Sequence, residues 1–157
     1  VYIDGGEQER GHRAGTENVA GIVGAAAAFS EAMLEREDKA ARLASMRDRI
    51  QAELLKIPGS QVNGGSVPRL PGTLNMSFEG IDGQSLIFAL DLKGVAASSG
   101  SACASVSVSP SHVLLALGLP YSLAHGSLRL SLGKYNTADE IDNIVRAVTD
   151  AVGELRG

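Results

Sequence analysis

A single cysteine, Cys103, stands in the run "SSGSACASVSVSPSH" at residues 98–112, among serines, alanines and valines. A structural cysteine usually sits among Leu, Ile or Phe, where it behaves as a small hydrophobe. Sulfur reacts as the thiolate, so a nucleophilic cysteine needs exposure and a nearby base or positive charge. Ser101, Ala102, Ala104, Ser105 and Ser107 impose little steric restraint, and only Val106 and Val108 offer packing anchors before Pro110. Two readings stay open: an inert thiol that happens to lie in a loop, or a reactive thiol on a loop built to move.

Arg129 lies in "SLRLSLG" (127–133), between Leu128 and Leu130. A guanidinium fork binds a carboxylate through two parallel hydrogen bonds, which makes this arginine a possible anchor for an amino-acid carboxylate. An arginine in a leucine-rich strand is more often a surface residue. "ERGHRAGTEN" has Gly11 and Gly15 around a basic pair, with Thr16 at the onset of a helical composition. A helix N-terminus with free amides and a hydroxyl is a phosphate seat, and an ordinary N-cap threonine fits the same pattern. His112 and His125 receive no role from their spacing. "DGGEQ" matches neither a P-loop nor a dinucleotide fingerprint.

The elements that must position these residues follow from periodicity. Residues 1–16 are glycine-rich, charged and irregular. From Thr16 to about Ile57 the composition turns to Ala, Glu, Arg and Leu, with Val19, Ile22, Val23 and Ala26 and then Leu43, Met46, Ile50 and Leu54 at helical spacing. The charged stretch "EREDKAAR" between them suggests two helices or one bent one, ended by Pro58 and Gly59. "TLNMSFEG" (73–80) alternates as a half-buried strand. Asp82 caps a helix that carries Leu86, Ile87 and Leu90 and stops at Gly94. "VAAS" (95–98) reads as a short strand into the cysteine loop, and a short helix follows Pro110 and Ser111, closed by Gly118 and Pro120. In 127–133, Leu128, Leu130 and Leu132 share one face, which places Arg129 and Ser131 together on the other. A capping box, Thr137 to Glu140, starts the final helix, with Ile141, Ile144, Val145, Val148, Val152 and Leu155 inward. The class is α+β: a small sheet covered on one side by helices, with a long leading helix.

The chain has 157 residues and a net charge of −4, without a Lys/Arg run, which gives no sign of a nucleic-acid or anionic-membrane partner. No apolar segment approaches the roughly 20 residues of a membrane span. One cysteine makes no intrachain disulfide and fits a reducing cytosol. Three scattered histidines and that cysteine provide no metal-ligand spacing. The chain opens in an irregular segment without an initiator Met, as though cut from a longer protein.

"GGEQERGHRAGTENVAGIVG", "SSGSACASVSVSPSHVLLALGL" and "AHGSLRLSLGKYNTADEID" resemble, in order, stretches of the pyridoxal-phosphate-dependent cysteine desulfurases of the NifS/IscS type, class-V aminotransferases of fold type I. The resemblance covers essentially the whole chain and implies the small C-terminal domain (17–157) of such an enzyme, with 1–16 continuing from a large cofactor domain. Cys103 matches the cysteine that attacks the sulfur of a cysteine–cofactor adduct, becoming a persulfide and leaving alanine. Arg129 matches the arginine that holds the carboxylate of L-cysteine. Thr16 matches the threonine that reaches the cofactor phosphate of the other subunit of a homodimer. The loop at 99–110 resembles the long mobile form that carries sulfur to a scaffold protein for iron–sulfur cluster assembly.

The family's cofactor lysine follows a histidine, and no His–Lys pair exists among Lys39, Lys56, Lys93 and Lys134. The residues that stack on the pyridine ring are absent too, so the chain alone is expected to be inactive. Glu7, Ala14 and Ala104 replace the Gly, Ser and Thr the family pattern leads one to expect. The long helix packs against the large domain in this resemblance, so an isolated chain should expose an apolar patch. The alternative reading is a stand-alone persulfide carrier or scaffold-interaction module.

Overall fold

The computed structural model describes residues 1–99 and 109–157. The chain divides into two compact units, Val1–Asp38 and Lys39–Gly157. In the first, the N-terminal segment doubles back on itself through a bridge between Ile3 and Arg13. A turn of 3-10 helix spans Gln8–Gly11, with Glu9 and Arg10 at left-handed φ of 51° and 57°. Helix α1 (Val19–Leu34) follows, and its cap is Asn18, whose side chain accepts from Gly21 N–H. No residue of α1 is buried, so Val19, Ile22, Val23, Phe29 and Met33 all stay exposed.

Glu35 breaks the run, and α2 occupies Arg36–Leu54, so the expected alternative of two helices is the one found. The remaining elements are β1 (Ser60–Val62), β2 (Thr73–Phe78), α3 (Gly83–Leu92), α4 (His112–Ala116), α5 (Tyr121–His125), β3 (Ser127–Ser131) and α6 (Glu140–Arg156). The strands form an antiparallel sheet in the order β1-β2-β3. Because side chains alternate along a strand, the β2–β3 register puts Leu74 opposite Leu130 and Met76 opposite Leu128 on one face. These join Phe78, Met46, Ile50 and Leu54 of α2, Leu86 and Leu90 of α3, and Ile141, Val148 and Val152 of α6 in one buried core. The small sheet with helices over one face is the α+β architecture the pattern implied.

Two differences from the sequence reading have local causes. "VAAS" is not a strand; only Ser98 pairs, as an isolated bridge to Arg129. Pro120 does not end the helical region: it stands at the N-cap of α5, where its missing N–H is no loss. The capping box before α6 is half formed, Glu140 accepting from Thr137 N–H at 3.0 Å while the helix starts at Glu140 itself. Two arginines lock the ends of the second unit. Arg156 donates to Pro58 O and Glu79 O, and Arg42 to Lys134 O and Asn136 O. Among the described residues no helix is long and apolar enough to cross a membrane.

The bare apolar surface of α1 has a measurable consequence. The 157-residue chain is expected to sediment as associated species, and a Val23→Glu/Phe29→Glu variant to shift towards the monomer. A monodisperse monomer of the unaltered chain in analytical ultracentrifugation contradicts this.

Candidate functional site

The face of the sheet opposite the core is polar by the same alternation. Across β2 and β3, Asn75 stands opposite Arg129 and Ser77 opposite Ser127. Asn63, just past β1, is buried and joins this face. Its Nδ2 donates to Asn75 Oδ1 at 2.6 Å and to Ser77 Oγ at 2.8 Å, while its Oδ1 accepts from Gln61 Nε2 at 3.2 Å. Arg129 and Ser131 share a strand phase, as the spacing required.

Arg129 is tied by its backbone. Its N–H donates to Ser98 O at 2.6 Å and its C=O accepts from Ser98 N–H at 3.1 Å. One residue on, Ser99 O accepts from Ser127 Oγ at 3.0 Å. The segment that leads into residues 100–108 is therefore fixed beside Arg129. Cys103 and most of the loop assigned to 99–110 lie outside the described residues. Two buried side-chain nitrogens lack a hydrogen-bond partner among the described residues, Arg129 Nε and Arg69 Nη1. Arg69 still donates to Gln51 through its other terminal nitrogen. A buried donor without an acceptor costs about 1–3 kcal/mol. Two parallel N–H groups of a guanidinium match a carboxylate.

Thr16 belongs to the first unit and is exposed. Thr16 is not the cap of α1, which begins at Val19 and is capped by Asn18. The turn before it is well tied: Arg13 donates to Gly15 O at 2.8 Å, and Gln8 Oε1 accepts from Gly15 N–H at 3.2 Å. Gly15 has φ +104°, which only glycine adopts without strain.

His112 is exposed on α4. His125 has a partner that spacing did not reveal: its Nδ1 lies 3.4 Å from Asp82 Oδ1, and its ring stacks on Tyr121. Asp82 caps α3, accepting from Ser85 N–H at 2.8 Å and Ser85 Oγ at 2.6 Å. Burial opposes its ionisation, but the Ser85 and Gln84 hydrogen bonds and the nearby His125 outweigh it and hold its carboxyl below the usual range. The contact is possible because two glycines bring backbones together. A Cβ on Gly83 would lie 2.8 Å from His125 O, and one on Gly126 would meet Phe78 O. We read the Asp82–His125 pair as structural.

The lysines are engaged elsewhere. Lys56 pairs with Glu53, Lys93 with Glu154, and Lys134 lies over the Tyr135 ring. Asn63 and Asn75 are the functional candidates that the sequence reading passed over. Asn75 was visible as a polar position in an alternating strand, but the strand that faces it is 54 residues further along the chain.

Comparison with known proteins gives the chain a family. The aminotransferase class-V family model matches residues 3–144, and the chain belongs to that family. A cysteine desulfurase IscS from Methanosarcina thermophila is 49% identical over 154 residues, 98% of this chain and 38% of the relative. Cysteine desulfurase NifS of Azotobacter vinelandii is 45% identical over 155 residues, 98% of this chain and 39% of the relative. Of solved structures, a NifS-like protein from Rickettsia africae superposes with a TM-score of 0.82 at 28% identity, over 96% of this chain and 39% of that one. A second NifS-like protein gives 0.81 at 35% identity, over 97% of this chain and 38% of that one. The chain thus spans 38–39% of the length of these relatives, and the expected resemblance to the NifS/IscS type stands.

Two measurements follow. Asp82, with its pKa lowered by folding, stabilises the protein above the carboxyl's unfolded-state pKa, and that contribution is lost as pH falls through the folded value. Asp82→Asn keeps a cap acceptor without titrating, so its stability should fall less steeply in acid than that of the unaltered chain; Asp82→Ala should cost about 1 kcal/mol at neutral pH. Parallel acid profiles of the two proteins in urea unfolding contradict the assignment. Arg129→Met should leave stability unchanged or raise it, since it removes an unmet buried donor. A loss above about 3 kcal/mol shows that the fold satisfies the guanidinium after all.

Proposed function

We propose that the chain is part of a cysteine desulfurase, contributing the carboxylate-binding and sulfur-accepting residues to an active site completed by sequence beyond it. The observation that carries the reading is the unmet Nε of Arg129, beside which Ser98 and Ser99 fix the segment leading to Cys103. Arg129 holds the carboxylate of L-cysteine, and Cys103 takes the substrate sulfur. An S–S bond forms as the substrate C–S bond breaks, which leaves a persulfide on Cys103 and, after protonation, alanine.

The residues present fit part of a pyridoxal phosphate site. Thr16 has an exposed side chain suited to the phosphate, in the family's manner across a homodimer. Each of Lys56, Lys93 and Lys134 is engaged in a local contact, so none is an evident anchor for the cofactor. When bound, the cofactor supplies the electron sink that makes the C–S bond of L-cysteine cleavable. This chain's own part is to orient the carboxylate through Arg129 and deliver the thiol. The 99–110 loop is proposed to carry the persulfide to a sulfur acceptor in iron–sulfur cluster assembly, in the cytoplasm.

Sulfide release from L-cysteine with a thiol reductant tests this. The 157-residue chain should be inactive with or without added pyridoxal phosphate. The full-length holoenzyme containing it should turn over and lose at least about a thousandfold in rate as Cys103→Ser, as removal of a covalent nucleophile does. Cys103-dependent turnover by the chain alone overturns the view that it carries half a site. A full-length enzyme indifferent to Cys103→Ser overturns the nucleophile assignment.

A further inference from the structure

We infer that Arg129 does not bind its anion alone: Asn75 is a second donor to the same seat, and Asn63 is the positioning residue that aims it. β2 is the middle strand, with Asn63 on its β1 side and Arg129 on its β3 side. Directly opposed residues of an antiparallel pair have Cβ atoms about 4.5–5.5 Å apart, so Asn75 and Arg129 project side by side from the polar face.

The orientation of the Asn75 amide follows from hydrogen-bond accounting. Asn63 is buried, and both hydrogens of its Nδ2 are used, one on Asn75 Oδ1 and one on Ser77 Oγ. Its own Oδ1 is engaged by Gln61 Nε2. Asn75 Oδ1 is thereby drawn to the β1 side. A carboxamide is planar, with oxygen and NH2 on opposite sides of Cγ, so Nδ2 is left on the β3 side, towards Arg129. The Nε of Arg129, its cross-strand neighbour, is buried and has no acceptor among the described residues. Two neighbouring groups thus offer only donors to one place, and a carboxylate, with two oxygens and about four lone-pair sites, is the ligand that accepts from both. On the desulfurase reading that carboxylate is the one of L-cysteine. The seat itself follows from the geometry alone.

The test uses the 157-residue chain and acetate as the probe. The Arg129 Nε–H resonance, assigned by its absence in Arg129→Lys, is followed while acetate is added against chloride at equal ionic strength. It should move and saturate with acetate but not with chloride. Asn75→Ala should weaken the response several-fold, the loss of one charge-assisted hydrogen bond. Asn75→Asp should abolish it, because an internal carboxylate then occupies the guanidinium and the resonance begins already shifted. Asn63→Ala leaves Asn75 in place but unaimed, and should weaken acetate binding without a preshifted resonance; it serves if an Asn75 variant fails to fold. An unmoved resonance in the unaltered chain, or an Asn75→Asp chain that titrates like it, overturns the inference. In the full-length enzyme, Asn75→Ala should raise KM for L-cysteine several-fold with kcat less affected. Acetate binding by the chain without any sulfide release by the full-length holoenzyme leaves the donor pair standing and removes the desulfurase reading. Sulfide release with a KM indifferent to Asn75→Ala does the reverse.

Discussion

The pairing register of β2 with β3 is the constraint on which the rest of the second unit depends. Leu74 against Leu130 and Met76 against Leu128 fix one face as core, and Asn75 against Arg129 then falls on the other without further choice. Side-chain alternation has period two, so a slip of one residue would carry the arginine into the core and expose the leucines. The hydrophobic energy that sets the register therefore also sets the position of the polar pair. Burial of Leu74, Met76, Phe78, Leu128 and Leu130, each nearly or fully complete, is what holds Arg129 in place.

Around that sheet, close backbone approaches do work that side chains cannot. Gly126 passes so near Phe78 O and Ile81 O, and Gly83 so near His125 O and Ser127 O, that any Cβ would force them apart. Their contact brings the start of α3 against the end of α5, and the Asp82–His125 pair closes the junction. β3 leaves this junction immediately, so its lateral position is fixed at its first residue. Among the described residues, the far edge of β3 is met only by Ser98, with Ser99 accepting from Ser127 just beyond. The segment that leads towards Cys103 thus passes beside the same strand that carries the arginine.

Much of this was legible in the sequence where the signal is local. The Asp82 cap, the alternation of 73–78 and 127–131 and the apolar stripe of α6 all act within a few residues of themselves, and all are found, except that Leu155, expected inward, is exposed near the end of α6. Strand β1 was missed because Ser60–Val62 is too short to alternate and is bounded by Gly59 and Gly64. The short helix α5 was missed because Pro120 was taken as a stop, whereas proline is equally suited to precede a helix. Thr16 was placed at a helix start because helical composition sets in there, but the side chain that reaches back to a free amide is that of Asn18. For the site, the phase of Arg129 was readable and its neighbours were not. Asn63 and Asn75 become relevant only through strand pairing and a side-chain relay, and neither leaves a periodic trace.

The Arg129 site also illustrates why fold stability and ligand recognition pull apart. A sequence selected for stability alone would place an acceptor beside the buried Nε or replace the arginine with an apolar residue. Among the described residues this chain does neither. Asn63 donates both Nδ2 hydrogens, to Asn75 Oδ1 at 2.6 Å and to Ser77 Oγ at 2.8 Å, which on our inference turns the Asn75 NH2 towards the guanidinium. An unmet donor of this kind raises the free energy of the empty protein and is relieved when an anion arrives. On the proposed reading, the cost is thereby converted into affinity for a ligand of one charge and one shape. The same relay sharpens specificity, since an amide NH2 beside a guanidinium gains from a second acceptor oxygen and gains nothing from an amine or a hydrocarbon. On the proposal made here, recognition of a carboxylate is in this sense written into which way one asparagine faces.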